Sequence, residues 1–334
     1  MTVSGFEHRY KDELLTLLSE YGDATTDKGG NYVVYKRSAK ANAPLLVIDA
    51  HIDEIGMIVT KIHDGGFLSV TSIGGLDPHI LQSAEVEIFG KKTIYGVITS
   101  TPPHLRAGKD NDKILKVEEV YIDTGLSRDT LEKLVPIGTP IKFRDGFCEL
   151  ANDVVCSRSL DNKICCACAL EAIAALSPEQ MEFDVAVLLS LREESGGYVG
   201  ARVGMNNITP ALVISLDVNF AQAPDTSEAE CAKRGEGFTV SLSAVTDRRL
   251  TKRIIGIAKY SRLPYRVIAE PNNVGMNANA IGICNAGVAC ADLGIPIGSM
   301  HTCAETASLR DCDSLIKLLC AVICDKAMSE DYAK

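Results

Sequence analysis

Apolar and polar positions follow two rhythms along this chain. In Phe6 to Tyr21, Leu14, Leu15, Leu17, Leu18 and Tyr21 recur at helical spacing and predict an amphipathic helix. Asn31 to Lys36 and Pro44 to Ala50 predict strands, and Leu45-Leu46-Val47-Ile48 is apolar on both faces, as a central strand is. From about His63 to Asp153 the rhythm shortens. Alternating segments recur at Phe67 to Val70, Ala84 to Phe89, Thr93 to Thr99, Lys116 to Tyr121 and Pro140 to Phe143, punctuated by Gly65-Gly66, Gly74-Gly75, Pro102-Pro103 and Gly138. That spacing predicts a small β-barrel or sandwich, with Arg128 to Leu134 as its one helical stretch.

After Asp153 the longer rhythm returns. Helices are predicted over Lys163 to Leu176, Val199 to Met205, Arg249 to Tyr260 and Cys312 to Met328. Strands are predicted over Phe183 to Leu191, Ala211 to Leu216 and Gly287 to Ala291. The alternation predicts an α/β fold whose mostly parallel central sheet is flanked by helices. The expected division is one discontinuous α/β unit, 1–62 with 154–334, interrupted by a β-rich insertion, 63–153.

Composition narrows the picture. The 334 residues can bury a sizeable core, and with aromatics at 5% and no Trp that core is aliphatic. A net charge of −10 argues against nucleic acid or an anionic membrane as partner. Met1 to Tyr10 is polar, so no secretory signal is expected, and no apolar run approaches the ~20 residues of a membrane helix. The twelve Cys all lie from Cys148 onward, many in apolar patterns such as Ile164-Cys165-Cys166-Ala167-Cys168. This is how a reduced, cytoplasmic chain uses Cys as a small core residue. Cys165 and Cys168 have CxxC spacing but no second pair, which argues against a zinc ribbon.

Open α/β sheets place their sites at the carboxyl ends of strands. After Leu45 to Ala50 come His51 and Asp53, two apart and so on one face while the chain stays extended. That pairing suits a metal-bound imidazole with a supporting carboxylate. Asp161-Asn162 precedes a helix, Glu193-Glu194 follows a strand, Asp217 ends another, and His301 comes late. Singly, each has a plain structural use: a helix cap, a turn, a solvated loop. Together, two imidazoles and four carboxylates, with Asp53 behind them, are the ligand inventory of a two-metal hydrolase. Zinc suits that donor set best, with cobalt or manganese as alternatives. Ser195-Gly196-Gly197 supplies the turn that lets both adjacent glutamates face one pocket.

These residues carry a family resemblance. His51-Ile52-Asp53-Glu54-Ile55-Gly56, Gly74-Gly75-Leu76-Asp77-Pro78, Thr101-Pro102-Pro103-His104, Ile122-Asp123-Thr124-Gly125, Leu160-Asp161-Asn162, Arg192-Glu193-Glu194, Leu216-Asp217-Val218 and His301-Thr302 with Glu305 agree in order and spacing. The chain resembles the co-catalytic metallo-aminopeptidases of the glutamyl and tetrahedral aminopeptidase type, some of which have been labelled cellulases or endoglucanases. The resemblance implies a zinc-peptidase-like fold with two divalent ions per subunit. Asp161 would bridge them, His51 and Asp217 would complete one site, and Glu194 and His301 the other. Glu193 would be the general base and Asp53 would orient His51. It further implies short peptides with a free N-terminus as substrates. The inserted barrel would be an oligomerisation unit in a homo-oligomer, a tetrahedral dodecamer or, as the alternative, a dimer.

Other readings of the same residues are a different metal-dependent amidohydrolase, a glycan hydrolase, and a non-catalytic peptide-binding relative. Glycosidases do not need this imidazole-containing set. The chain departs from the family pattern at Arg192, at the Ser195–Gly197 loop, and at Gly275-Met276-Asn277-Ala278. In that last stretch Asn277 replaces a carboxylate expected to help position substrate. These departures bear on substrate preference, and Arg192 is where specificity is expected to differ.

Overall fold

A computed structural model describes residues 1–102, 114–270 and 276–332. The Pro103-His104 half of one motif, and Gly275 of another, lie outside the described residues. In chain order the amino-terminal part holds α1 (Lys11–Leu18), β1 (Asp23–Thr26), β2 (Tyr32–Lys36) and β3 (Leu45–His51). Next come β4 (Gly56–Ile62), β5 (Phe67–Ile73), β6 (Glu85–Phe89), β7 (Thr93–Thr99), β8 (Tyr121–Asp123), α2 (Arg128–Leu134) and β9 (Pro140–Phe143). The carboxyl-terminal part begins with β10 (Phe147–Leu150), β11 (Val154–Ser157), α3 (Leu160–Ala174), β12 (Asp184–Ser190), α4 (Val199–Asn207) and β13 (Leu212–Phe220). It ends with β14 (Phe238–Ser243), α5 (Arg248–Tyr260), β15 (Tyr265–Glu270), α6 (Ala278–Ile281), β16 (Cys290–Gly298), β17 (Glu305–Ser308), α7 (Leu309–Ile323) and α8 (Lys326–Tyr332).

An eleven-stranded sheet runs β1-β2-β12-β3-β13-β16-β17-β11-β10, with β14 branching from β16 and β15 beyond it. Its centre, β12-β3-β13-β16, is parallel, as the apolar runs predict. Both flanks are antiparallel, so the sheet as a whole is mixed. Strands β14 and β15 were missing from the sequence expectation, β16 runs to Gly298 rather than stopping at Ala291, and the closing helix breaks between α7 and α8.

The six strands β4-β5-β8-β7-β6-β9 close a barrel around an apolar core that includes Met57, Leu68, Val86, Ile98, Ile122 and Ile141. The barrel therefore begins at Gly56 and not at 63, because β4 pairs with β5 and β9. The insertion also ends earlier than expected. The strand β10 pairs with β11 and so forms the edge of the main sheet. Buried Glu54 ties the two parts together by accepting from Arg158, Lys163 and Ser159. Among the described residues no helix is long and apolar enough to cross a membrane.

Strand alternation decides what each sheet face does. Leu46, Ile48, Val187, Leu189, Ile214, Leu216, Leu293 and Ile295 pack with residues of α3, α5 and α7 in one large apolar core. The opposite face starts apolar, with Val47, Leu188 and Val213 under α4 and α6. Toward the carboxyl ends of the strands it turns polar, through Asp49, His51, Ser190, Ser215, Asp217 and Asp292, all buried.

Candidate active site

The polar face ends in a cavity of about 300 Å³ whose wall includes His51, Asp161, Glu193, Glu194, Asp217 and His301. Asp161 lies at its centre. Its Oδ1 is 3.1 Å from His51 Nε2, and its Oδ2 is 3.2 Å from His301 Nε2. Asp217 Oδ1 stands 3.5 Å from the same His51 nitrogen, and Glu194 Oε2 3.5 Å from the same His301 nitrogen. The five side chains thus form two halves sharing one carboxylate. Ligand atoms of His51, Asp161 and Glu194 all fall within 4.8 Å of one another.

Local structure sets each side chain. Asp161 and Asn162 have non-helical backbone angles at the start of α3 and are joined by a cis peptide, and the Asp161 carboxylate faces the two imidazoles. The Asn162 amide instead donates to the Leu216 carbonyl. The second nitrogen of His51, Nδ1, lies 3.1 Å from the Asp53 carbonyl oxygen and 3.5 Å from Asp53 Oδ1. Asp53 also accepts the backbone N–H groups of Glu193 and Glu194, each at 3.1 Å. One buried carboxylate therefore holds an imidazole and the turn carrying both glutamates. Arg192 and His301 have positive φ, +58° and +61°, a backbone that costs a bulky residue ~1–2 kcal/mol. Such strain concentrates at functional sites.

Glu305 is a positioning residue that no role was expected for. Buried at the start of β17, it accepts from Asp161 N at 3.0 Å and from His301 N at 2.8 Å. The sequence places it in the motif with His301-Thr302 but gives it no role. The barrel contributes backbone: the Gly75 carbonyl, just past β5, lies 2.9 Å from His301 Nδ1. A Cβ at Gly75 would come within 2.9 Å of that nitrogen, which explains the glycine.

Two expectations are corrected. Arg192 does not line the cavity. Its guanidinium donates to the Gly29 carbonyl at 3.0 Å and its N–H to Glu7, so it anchors the turn before β2. Asn277 is 2% exposed and donates to Asp49 Oδ2 at 2.9 Å and Ser190 Oγ at 2.8 Å, beneath the site rather than in it. His63 packs edge-on against Tyr121, and His79 lies exposed beside Asp77, both within the barrel.

Electrostatics show what the cluster demands. Burial, reinforced by the neighbouring carboxylates Asp217, Asp53 and Asp161, raises Glu193 to about 8. Burial and Asp161 push Glu194 well up. Burial opposes a charge on His51, but Asp217, Asp161 and Asp53 outweigh it and hold the imidazole well above its ordinary value. The hydrogen bond from His301 to Asp161 raises that histidine to about 9, against the opposing effect of burial. Left to themselves, the carboxylates collect protons on the imidazoles and on one another. Buried carboxylate and imidazole donors crowded this way fit divalent cations, which would replace those protons.

Known proteins share this sequence and this fold. Residues 30–318 match the family model described as M42 glutamyl aminopeptidase. A lysyl aminopeptidase of Pyrococcus furiosus is 33% identical over 327 residues, covering 96% of this chain and 93% of the relative. The TET1 peptidase of Pyrococcus horikoshii, whose structure is described as assembling into a tetrahedron or a large octahedral shell, is 26% identical with a TM-score of 0.83. That match covers 97% of this chain and 96% of the other. A TET aminopeptidase from a marine-sediment Thaumarchaeota archaeon, at 24% identity, shares the fold with a TM-score of 0.91 over 99% of this chain and 95% of the other.

Proposed function

The chain belongs to the M42 glutamyl aminopeptidase family, a family of metal-dependent hydrolases, and from that premise we propose that it removes N-terminal residues from short peptides at the cavity described above. The carrying observation is Asp161, whose two oxygens face two different imidazoles. On this reading two divalent ions, most naturally zinc, would be held here: His51 and Asp217 would hold one, Glu194 and His301 the other, and Asp161 would serve both. When bound, the pair lowers the pKa of a shared water and polarises the scissile carbonyl.

The chain's own residues do the rest. Glu193, on the cavity wall but in neither half of the ligand set, takes a proton from the attacking water and delivers it to the leaving amine nitrogen. Asp53 keeps that carboxylate in reach by fixing the Glu193 and Glu194 backbone, and it orients His51. Glu305 does the same for Asp161 and His301. The burial of His51, Asp161 and Asp217 limits water around the reacting groups, which strengthens each of these interactions. We further propose that 56–143 is an oligomerisation unit and that the protein works as a homo-oligomer in the cytoplasm. Exposed Tyr95 and Val97 on β7 and twelve free cysteines support that reading.

The test assays metal-loaded and chelator-treated protein on free-amine aminoacyl amides, N-blocked peptides and β-glucan. Hydrolysis of the free-amine substrates alone, lost with chelator and restored by metal, is expected. Glucan cleavage that survives chelation, or equal turnover of N-blocked peptides, overturns the proposal.

A further inference from the structure

The site cavity does not end at the metal-binding cluster. It adjoins a groove of about 1060 Å³, and Phe220, Glu230, Glu270 and Met300 line both spaces. Phe220 at the end of β13 is 59% exposed, an unusual place for a large aromatic ring unless something packs on it. Glu270 closes β15 and is half-buried. Its Oε2 is enclosed and the Ser241 hydroxyl acts on the carboxyl, but no cation pairs with it among the described residues. Neither Glu230 nor Glu270 has an ion-pair partner among the described residues. The groove's cation, Arg234, is engaged elsewhere: it donates to Thr306 and acts on buried Asp311.

Charge counting points the same way. Six carboxylates line the site cavity: Asp161, Glu193, Glu194, Asp217, Glu230 and Glu270. Two divalent cations would balance four, and the two outside the cluster are Glu230 and Glu270. A half-buried carboxylate without a cation is costly, and a hydroxyl neighbour offsets only part of that cost. Phe220 and Met300 add apolar surface to the same lining. Lysine and arginine side chains have that profile, an apolar stem carrying a cationic head.

Resting on the aminopeptidase reading, we propose that the groove holds the side chain of the substrate's first residue and selects a basic one, with Phe220 and Met300 flanking the stem and Glu270, assisted by Glu230, receiving the head. Glu270 is then the specificity-determining residue. Burial raises its carboxyl above the ordinary value and the Ser241 hydroxyl only partly offsets this, in keeping with a group that lacks a cation in the free protein.

Lysine and norleucine differ here only in the terminal ammonium, so the pair isolates the claim. The metal-loaded protein should hydrolyse lysyl p-nitroanilide with a kcat/KM about ten- to a hundredfold above norleucyl p-nitroanilide, the range for a hydrogen bond to a charged group. Glu270→Gln should lower that ratio about tenfold or more, and Glu230→Gln by less. Binding gives a readout independent of turnover. Free L-lysine should raise the melting temperature of the metal-loaded protein more than L-norleucine does, and Glu270→Gln should remove the difference. A norleucyl preference in the unaltered protein, or a lysine-to-norleucine ratio unmoved by Glu270→Gln, overturns the proposal. Absence of hydrolysis on every free-amine substrate would instead sink the aminopeptidase reading, and the binding arm would still decide the groove.

Discussion

Two rows of polar residues cross the same face of the central sheet, one step apart along the strands, and they have opposite fates. The front row, His51 and Asp217 with Asp161 beside them, sits at the strand ends and lines the cavity. The back row lies two residues behind: Ser215 is registered against Asp49 on one side and Asp292 on the other. Both rows are buried. Front-row carboxylates have imidazole partners and an opening through which a cation can enter. Back-row carboxylates have neither. Burial raises Asp49 to about 7, where Ser190 and the Asn277 amide steady it, and pushes Asp292 well up. The comparison teaches that burial alone does not make a carboxylate functional. The separating feature is access to a positive charge.

The largest expected effect removes the carboxylate that lines the front row's cavity but belongs to neither half of the ligand set. Glu193→Gln keeps size and shape but cannot accept a proton. It should cut kcat by about a thousandfold, within the range for a general base, while bound metal stays near two ions per subunit. Metal analysis alongside kinetics decides the matter: loss of metal in this variant would make Glu193 a ligand instead of the base.

A smaller effect tests the back row. Asn277→Asp would place a second carboxylate against Asp49 in a site with no cation. We expect about 1–3 kcal/mol of destabilisation, the usual cost of an unsatisfied buried polar group. It should be greater at pH 8 than at pH 5, because near pH 5 a proton can be shared between the two acids. Urea unfolding at both pH values measures it. Equal stability at pH 8 would mean that Asn277 is not the neutral partner that Asp49 needs.

Much of this was legible in the chain. The parallel centre of the sheet and the candidate ligands follow from apolar runs ending in charged residues, and the barrel from short alternating segments between glycine and proline turns. The back row was not. Asp49 sits inside Leu45 to His51 as one polar letter in an apolar run, and Asp292 lies in a strand expected to be over by Ala291. Only the pairing of strands shows that they are neighbours. Arg192 and Asn277 were misread for the same reason. Their position beside motif residues suggested the site, but the left-handed turn at Arg192 sends its side chain to Gly29, and the Asn277 amide faces the sheet. Glu270 drew no attention because β15 was unrecognised.

The finest distinction concerns Asp292. It is fully buried, and neither oxygen makes a hydrogen bond among the described residues. Burial raises its pKa well above the ordinary value; the nearby Ser241 hydroxyl partly offsets this, while Asp217 and Glu270 add to it. Above about pH 4 the unfolded chain has lost this proton while the folded protein keeps it. The native state then binds more protons than the unfolded state, so this group makes stability fall as pH rises, until the native carboxyl itself ionises. Asp292→Asn has no proton to lose. Relative to the unaltered protein, the variant should therefore gain stability as pH climbs from 5 to 8, by no more than about 1.4 kcal/mol per pH unit. The slope is the observable, since the new amide brings its own unsatisfied groups and shifts the whole curve. Parallel stability curves for the two proteins would show that Asp292 ionises as readily in the fold as outside it, and the back row would then differ from the front only in position.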